Sequence, residues 1–134
     1  MAQIDIPLES PGSRVRHARI SKEYSIRDLA RIIKTTPQTI SNIERDTVEP
    51  SLTTLRKLSV VLDKPIPYLG CFESLPEDTL GQQIIKARYY RGLLAAEAAL
   101  ELGVDVKTIS NWESDRNTPS KIIELEQFLA VLKT

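Results

Sequence analysis

Apolar residues recur along this chain at helical spacing, in runs separated by short polar turns. Ser10-Pro11 opens the first run, serine as cap and proline at the first helical position, and a helix is expected to about Ser21 with Val15, Ala18 and Arg19 on one face. "SIRDLARII" begins with Ser25 as cap and Asp28 three residues on, and aligns Ile26, Leu29, Ala30 and Ile33 in one stripe. "TTPQTISNIERD" follows almost at once, with Thr36 to cap, Pro37 in the first turn and Ile40 and Ile43 as an inward pair. After the turn "DTVEPS", Ser51 caps a fourth helix that turns Leu52, Leu55, Leu58, Val61 and Leu62 inward. A proline-rich joint, "DKPIPYLGCFESLPEDTLG", comes next, with a short helical turn expected around Tyr68 and Leu69.

The plan then repeats. "TISNIE" at 39–44 returns as "TISNWE" at 108–113, and at this offset of 69 residues 12–51 pair with 81–120 without a gap, 12 of the 40 pairs being identical. Gly12 with Gly81, Ala18-Arg19 with Ala87-Arg88 and Asp46 with Asp115 are among them. Beyond Ser120 the offset becomes 70, so that Leu52, Leu55, Leu58 and Leu62 answer to Ile122, Leu125, Phe128 and Leu132. Helices are expected in the second copy near 79–90, 95–102, 106–114 and 121–132, with Asp78, Asp105 and Ser120 as caps. The expected fold is all-α: two tandem small helical bundles of four to five helices each. A flexible arm at 1–10, a first domain at 11–69, a linker at 70–78 and a second domain at 79–134 make up the chain.

The third helix has an unusual outer face. Gln38, Thr39, Ser41, Asn42 and Arg45 lie away from the Ile40/Ile43 pair, although Thr, Ser and Asn are mediocre helix formers. A solvated surface helix more often carries Glu, Lys and Ala; short side chains that donate and accept hydrogen bonds are what base edges in a major groove require.

"SIRDLARIIKTTPQTISNIERDTVEPSLTTLRKLSVVL" resembles the helix-turn-helix family of phage repressors and their Xre/Cro-like relatives, of the lambda-repressor type: "LA" in helix two, "TIS" and a Glu in helix three, then Pro-Ser and a leucine-spaced fourth helix. The resemblance covers roughly 12–69 and again 81–134. It implies a bundle whose third helix lies in the DNA major groove. Carried over by position, Thr36, Pro37, Gln38, Ser41 and Asn42 would face DNA in the first copy, and Asp105, Val106, Lys107, Ser110 and Asn111 hold the same places in the second. Gln38 and Asn42 are the expected base readers, because a carboxamide can make two hydrogen bonds to adenine; Lys107 would favour guanine or a phosphate. The candidate DNA-binding set is therefore Thr36, Pro37, Gln38, Thr39, Ser41, Asn42 and Arg45, with Lys107, Thr108, Ser110, Asn111 and Arg116. Arg45 and Arg116 could equally be solvated. Arg19 with Glu44, and Arg88 with Glu113, resemble the family's buried pair joining helix one to helix three, a structural and not a DNA-contacting role.

The chain also departs from the pattern. Ile26 and Ala95 stand where many members place a phosphate-reaching Gln or Thr, Leu94 replaces the capping Ser25, and Asp46 and Asp115 replace the usual Gly after helix three.

Charge separates the copies. The total is zero, but residues 1–69 hold 11 Lys/Arg against 8 Asp/Glu and residues 70–134 hold 7 against 10, a balance of +3 and −3. A polyanion is expected to prefer the first copy. A single cysteine excludes an intrachain disulfide, and with no leader or long apolar run a cytoplasmic chain is expected. One histidine and one cysteine, far apart, make neither a metal site nor a cofactor site, and no phosphate loop or catalytic set suggests an enzyme. Trp112, replacing Ile43, belongs to a core; Cys71 reads as a small buried residue and His17 as a solvated one; Tyr89-Tyr90 could pack on the other copy or form an exposed interface.

The expected function is a sequence-specific DNA-binding transcriptional regulator, a repressor, with double-stranded DNA as partner and two heads able to span half-sites about 34 Å apart. Alternatively the first copy reads DNA while the acidic second copy makes a homodimer or binds a protein partner. A third reading, an antitoxin-like module binding only protein, draws on the zero net charge.

Overall fold

The computed structural model describes residues 8–133. Residues 1–7 of the expected arm lie outside them. Among the described residues all regular structure is helical, and no helix is long and apolar enough to cross a membrane. The chain divides into two compact units between Cys71 and Phe72.

In the first unit α1 (Pro11–Ser21), α2 (Ile26–Ile32), α3 (Pro37–Glu44) and α4 (Leu52–Leu62) each begin at a side-chain cap. Ser10 Oγ accepts from Ser13 N–H at 3.1 Å, and Thr36 Oγ1 from Thr39 N–H at 3.1 Å. Ser25 and Asp28 exchange two 3.0 Å bonds as a capping box. Each cap satisfies amide donors that a helix start otherwise leaves without partners. Val15, Ala18, Leu29, Ile40, Ile43, Leu55, Leu58 and Leu62 close into one core, each no more than 1 % exposed. A fifth helix, α5 (Ile66–Gly70), covers it with Leu69, and Arg14 ties α1 to that cover by donating to the Tyr68 carbonyl at 2.7 Å with its guanidinium 4.7 Å from the Tyr68 ring. Arg14 Nε also donates to the Leu8 carbonyl at 2.7 Å, so residues 8–10 of the expected flexible arm are held against α1.

The second unit contains α6 (Leu80–Tyr90), α7 (Ala95–Leu102), α8 (Val106–Glu113) and α9 (Ile122–Leu129), followed by a 3₁₀ turn at Ala130–Lys133. Ile84, Ile109, Trp112, Leu125 and Phe128 fill its core.

Several expectations are corrected here. The cap of α6 is Thr79 and not Asp78, because Thr79 Oγ1 accepts from Gln82 N–H at 3.1 Å while Gln82 Oε1 accepts from both Thr79 and Asp78. Ser120 does not take the cap position: the extra residue that changes the repeat offset, Lys121, stands before α9, and its side chain makes no capping bond, donating instead to the Gly103 carbonyl at 3.2 Å. Residues 72–78, expected as part of a linker, lie in the second unit; the Phe72 ring packs at a tilt 5.1 Å from that of Tyr89, and buried Lys86 donates to the Glu73 carbonyl at 3.2 Å and pairs with Glu77 at 2.7 Å. Cys71 is half-exposed, at φ 56° after α5, where it ends the helix instead of filling a core.

At Gly12 and Gly81 the backbones of α1 and α3, and of α6 and α8, come into direct contact. A Cβ on Gly12 would meet the carbonyl oxygens of Ile43 and Glu44, the latter at 2.8 Å; one on Gly81 would meet those of Trp112 and Glu113 at 2.7 and 2.6 Å. Backbone oxygens cannot swing aside as a side chain can. Gly12→Ala is therefore expected to lower stability by about 1–3 kcal/mol, read as a reduced urea midpoint at unchanged slope, whereas Arg16→Ala, exposed on the same helix, should change the midpoint far less.

Candidate nucleic-acid interface

The side chains at the α1–α3 junction fix how α3 is presented. Asp46 follows α3 in the left-handed region, φ 59°, which an aspartate tolerates better than most residues. From there its carboxylate accepts from Gly12 N–H at 2.9 Å and from Ser10 Oγ at 2.7 Å, tying the end of α3 to the start of α1. Two turns further along α1, Arg19 meets Glu44 in a two-bond fork, Nε to Oε2 at 2.6 Å and Nη2 to Oε1 at 3.0 Å, while Nη1 donates to the Tyr24 carbonyl at 2.8 Å. These side chains are 11 % and 5 % exposed, so both charges are largely removed from water and depend on each other.

The second unit repeats both devices. Asp115, at φ 60°, accepts from Gly81 N–H at 2.8 Å and Thr79 Oγ1 at 2.7 Å, and Arg88 forks onto Glu113 at 2.7 and 3.2 Å. The replacement of the expected glycine by Asp46 and Asp115 is thus no weakness of the turn: the aspartate takes the glycine-like conformation and adds a clamp. Its signal was present in the repeat, since Gly12/Gly81 and Asp46/Asp115 are two of its identities, yet a partner 34 residues away cannot be seen from spacing.

With α3 so held, Ile40 and Ile43 point into the core and the opposite face is open. Thr36, Pro37, Gln38 and Arg45 are exposed, and Thr39, Ser41 and Asn42 half-buried at its edges. Gln38 Nε2 and Arg45 Nη2 both donate to Asn42 Oδ1, each at 2.9 Å. On α2 the exposed face carries Arg27 and Arg31, with Lys34 just beyond it, three cations not singled out by motif. At eight residues α3 is about 12 Å long, comparable with the width of a major groove.

On α8 the same positions differ in chemistry. Lys107, Ser110 and Arg116 are exposed, and Thr108 and Asn111 half-buried. Asp105 caps the helix, its Oδ1 accepting from Thr108 N–H at 2.7 Å; that bond, aided by Lys107, holds its carboxyl below the usual carboxylate range. The carboxylate therefore contributes to the fold above the usual range, and the contribution is lost as pH falls through its lowered value. The α2 cations are replaced in turn, Arg27, Arg31 and Lys34 becoming Ala96, Leu100 and Gly103. Leu100 is 85 % and Val106 47 % exposed. Leu94, before α7, offers no acceptor; its own N–H is taken by Glu97 Oε1 at 2.7 Å.

Residues 15–69 match the family described as Helix-turn-helix, a match that takes in the first copy and leaves out the second. The matched residues run from within α1 to within α5 and include all of α2, α3 and α4. No curated protein and no solved structure matches the chain.

Because Glu44 is nearly enclosed, Glu44→Ala would strand the Arg19 guanidinium. A loss of about 3–5 kcal/mol is expected, measured by chemical denaturation and accompanied by loss of α3 amide protection in hydrogen exchange. Glu126→Ala on exposed α9 should leave both nearly unchanged.

Proposed function

We propose that the protein is a sequence-specific DNA-binding transcriptional regulator with tandem helix-turn-helix domains, acting as a repressor, and that α3 is its reading helix. The observation that carries this is the open polar face of α3, Gln38, Ser41, Asn42 and Arg45 with Thr36, Pro37 and Thr39 at its start, on a helix whose other face is locked to α1. Arg27, Arg31 and Lys34 add positive charge suited to phosphates. Repression needs no further activity, because a bound head excludes other proteins from the same duplex.

For the second unit one observation favours a partner-binding role over base reading. Where the first unit has Arg27, Arg31, Lys34 and Arg45, the second has Ala96, Leu100, Gly103 and Ser114, and an anionic Asp105 stands at the start of α8. On this reading Lys107, Thr108, Ser110, Asn111 and Arg116 make no base contacts, and the second unit dimerises or takes a protein partner.

Selection from a random duplex pool by the full chain at near-physiological salt, followed by sequencing, tests both parts. A motif is expected; Gln38→Ala with Asn42→Ala should relax it, and Lys107→Ala with Asn111→Ala should leave it unchanged. Relaxation at a second half-site in the latter variant would instead make the second unit a reader, and no enrichment by the folded wild-type chain would overturn the DNA-reading proposal.

A further inference from the structure

Three side chains on the open face of α3 are joined in a line. Gln38, Asn42 and Arg45 stand at i, i+4 and i+7, and Asn42 Oδ1 accepts from Gln38 Nε2 and from Arg45 Nη2, both at 2.9 Å. An amide oxygen has two lone pairs and an amide nitrogen two N–H donors. Both lone pairs of Asn42 Oδ1 are therefore used within the helix. The amide cannot simply be turned over, because its NH₂ would then face the guanidinium and the Gln38 amine, donors set against donors. What Asn42 has left to offer is Nδ2, which only donates. Gln38 keeps its Oε1 and one N–H, and so still offers an acceptor and a donor side by side.

We propose that Arg45 is a positioning residue that, through Asn42 Oδ1, fixes Asn42 as a pure donor toward DNA, so that α3 reads adenine through Gln38 and an acceptor-bearing edge, guanine or thymine, through Asn42. The inference rests on the reading of the first unit as a DNA reader. It replaces the simpler expectation that both carboxamides grip adenine, which requires a free oxygen on each. Guanine presents O6 and N7 and thymine O4 in the major groove, all acceptors. The device belongs to the first unit: the positions of Gln38 and Arg45 hold Lys107 and Ser114 in the second, and Ser114 Oγ donates to the Asn111 backbone carbonyl at 3.2 Å instead.

The test is a sequencing-read duplex selection with the full chain, comparing wild type with Asn42→Ala, Asn42→Asp, Arg45→Met and Arg45→Lys. Asn42→Ala locates the base that Asn42 reads, as the position that relaxes. There the wild type is expected to prefer guanine or thymine. Asn42→Asp still accepts from Gln38 and Arg45 but presents only acceptors outward, and its preference should move to cytosine, whose N4 amine donates. Arg45→Met should weaken discrimination at that one position by roughly fivefold or more, and Arg45→Lys, which keeps a donor, should restore it. An adenine preference at that position overturns the proposal, as does an Asn42→Ala variant that relaxes no position. So does an Arg45→Met variant that weakens all sequences alike and lowers the salt slope by about one, the behaviour of a phosphate contact. A wild-type chain that enriches no sequence removes the DNA reading itself, and the proposal with it, and so is told apart from the other failures.

Discussion

Everything α3 can present depends on its junction with α1. Arg19 and Glu44 are both charged and both nearly enclosed, and each is tolerable there only because the other is present. Asp46 and Gly12 complete the junction from the other end: the glycine allows the helices to approach to backbone contact, and the aspartate bonds the Gly12 amide, which the first turn of α1 leaves without a partner in the helix. Charge pairing, a missing side chain and a left-handed turn are thus one device. Removing any of them would loosen the orientation of a helix only eight residues long, which has little packing of its own to fall back on.

The two units share this scaffold and differ in what they place on it. The Arg–Glu fork, the Gly–Asp clamp and the inward isoleucine recur in both, whereas the surface cations of the first unit become Ala96, Leu100, Gly103 and Ser114 in the second. Core and junction residues are constrained by neighbours at every contact. Surface residues answer to fewer neighbours, so charge can diverge between the copies while the scaffold stays the same. The balance of +3 against −3 is the coarse form of that difference.

Much of the fold was legible because its determinants are local. Periodicity gave the helices, and Ser10, Ser25, Thr36, Ser51 and Asp105 each cap the helix they precede. Ser120 misled because a single inserted residue, Lys121, displaces it from the helix start, although the shift of the repeat offset at that point recorded the insertion. The Gly12–Asp46 clamp, the Arg14–Tyr68 tie and the burial of Lys86 were not legible, since each joins residues far apart whose types have many other uses. At the interface, the Ile40/Ile43 spacing was enough to turn the polar residues of α3 outward. The sharing of Asn42 Oδ1 between Gln38 and Arg45, which decides what Asn42 can offer, needed side-chain positions.

The central claim, that α3 is the surface that meets DNA, is tested most directly by following backbone amide resonances of the isotopically labelled full chain during titration with random-sequence duplex at about 50 mM salt, where non-specific contacts suffice for binding. The account predicts shifts centred on residues 36–45 and on the exposed side of α2, with residues 105–113 of α8 little changed. Shifts centred on α8 or α9 with α3 unmoved would contradict it.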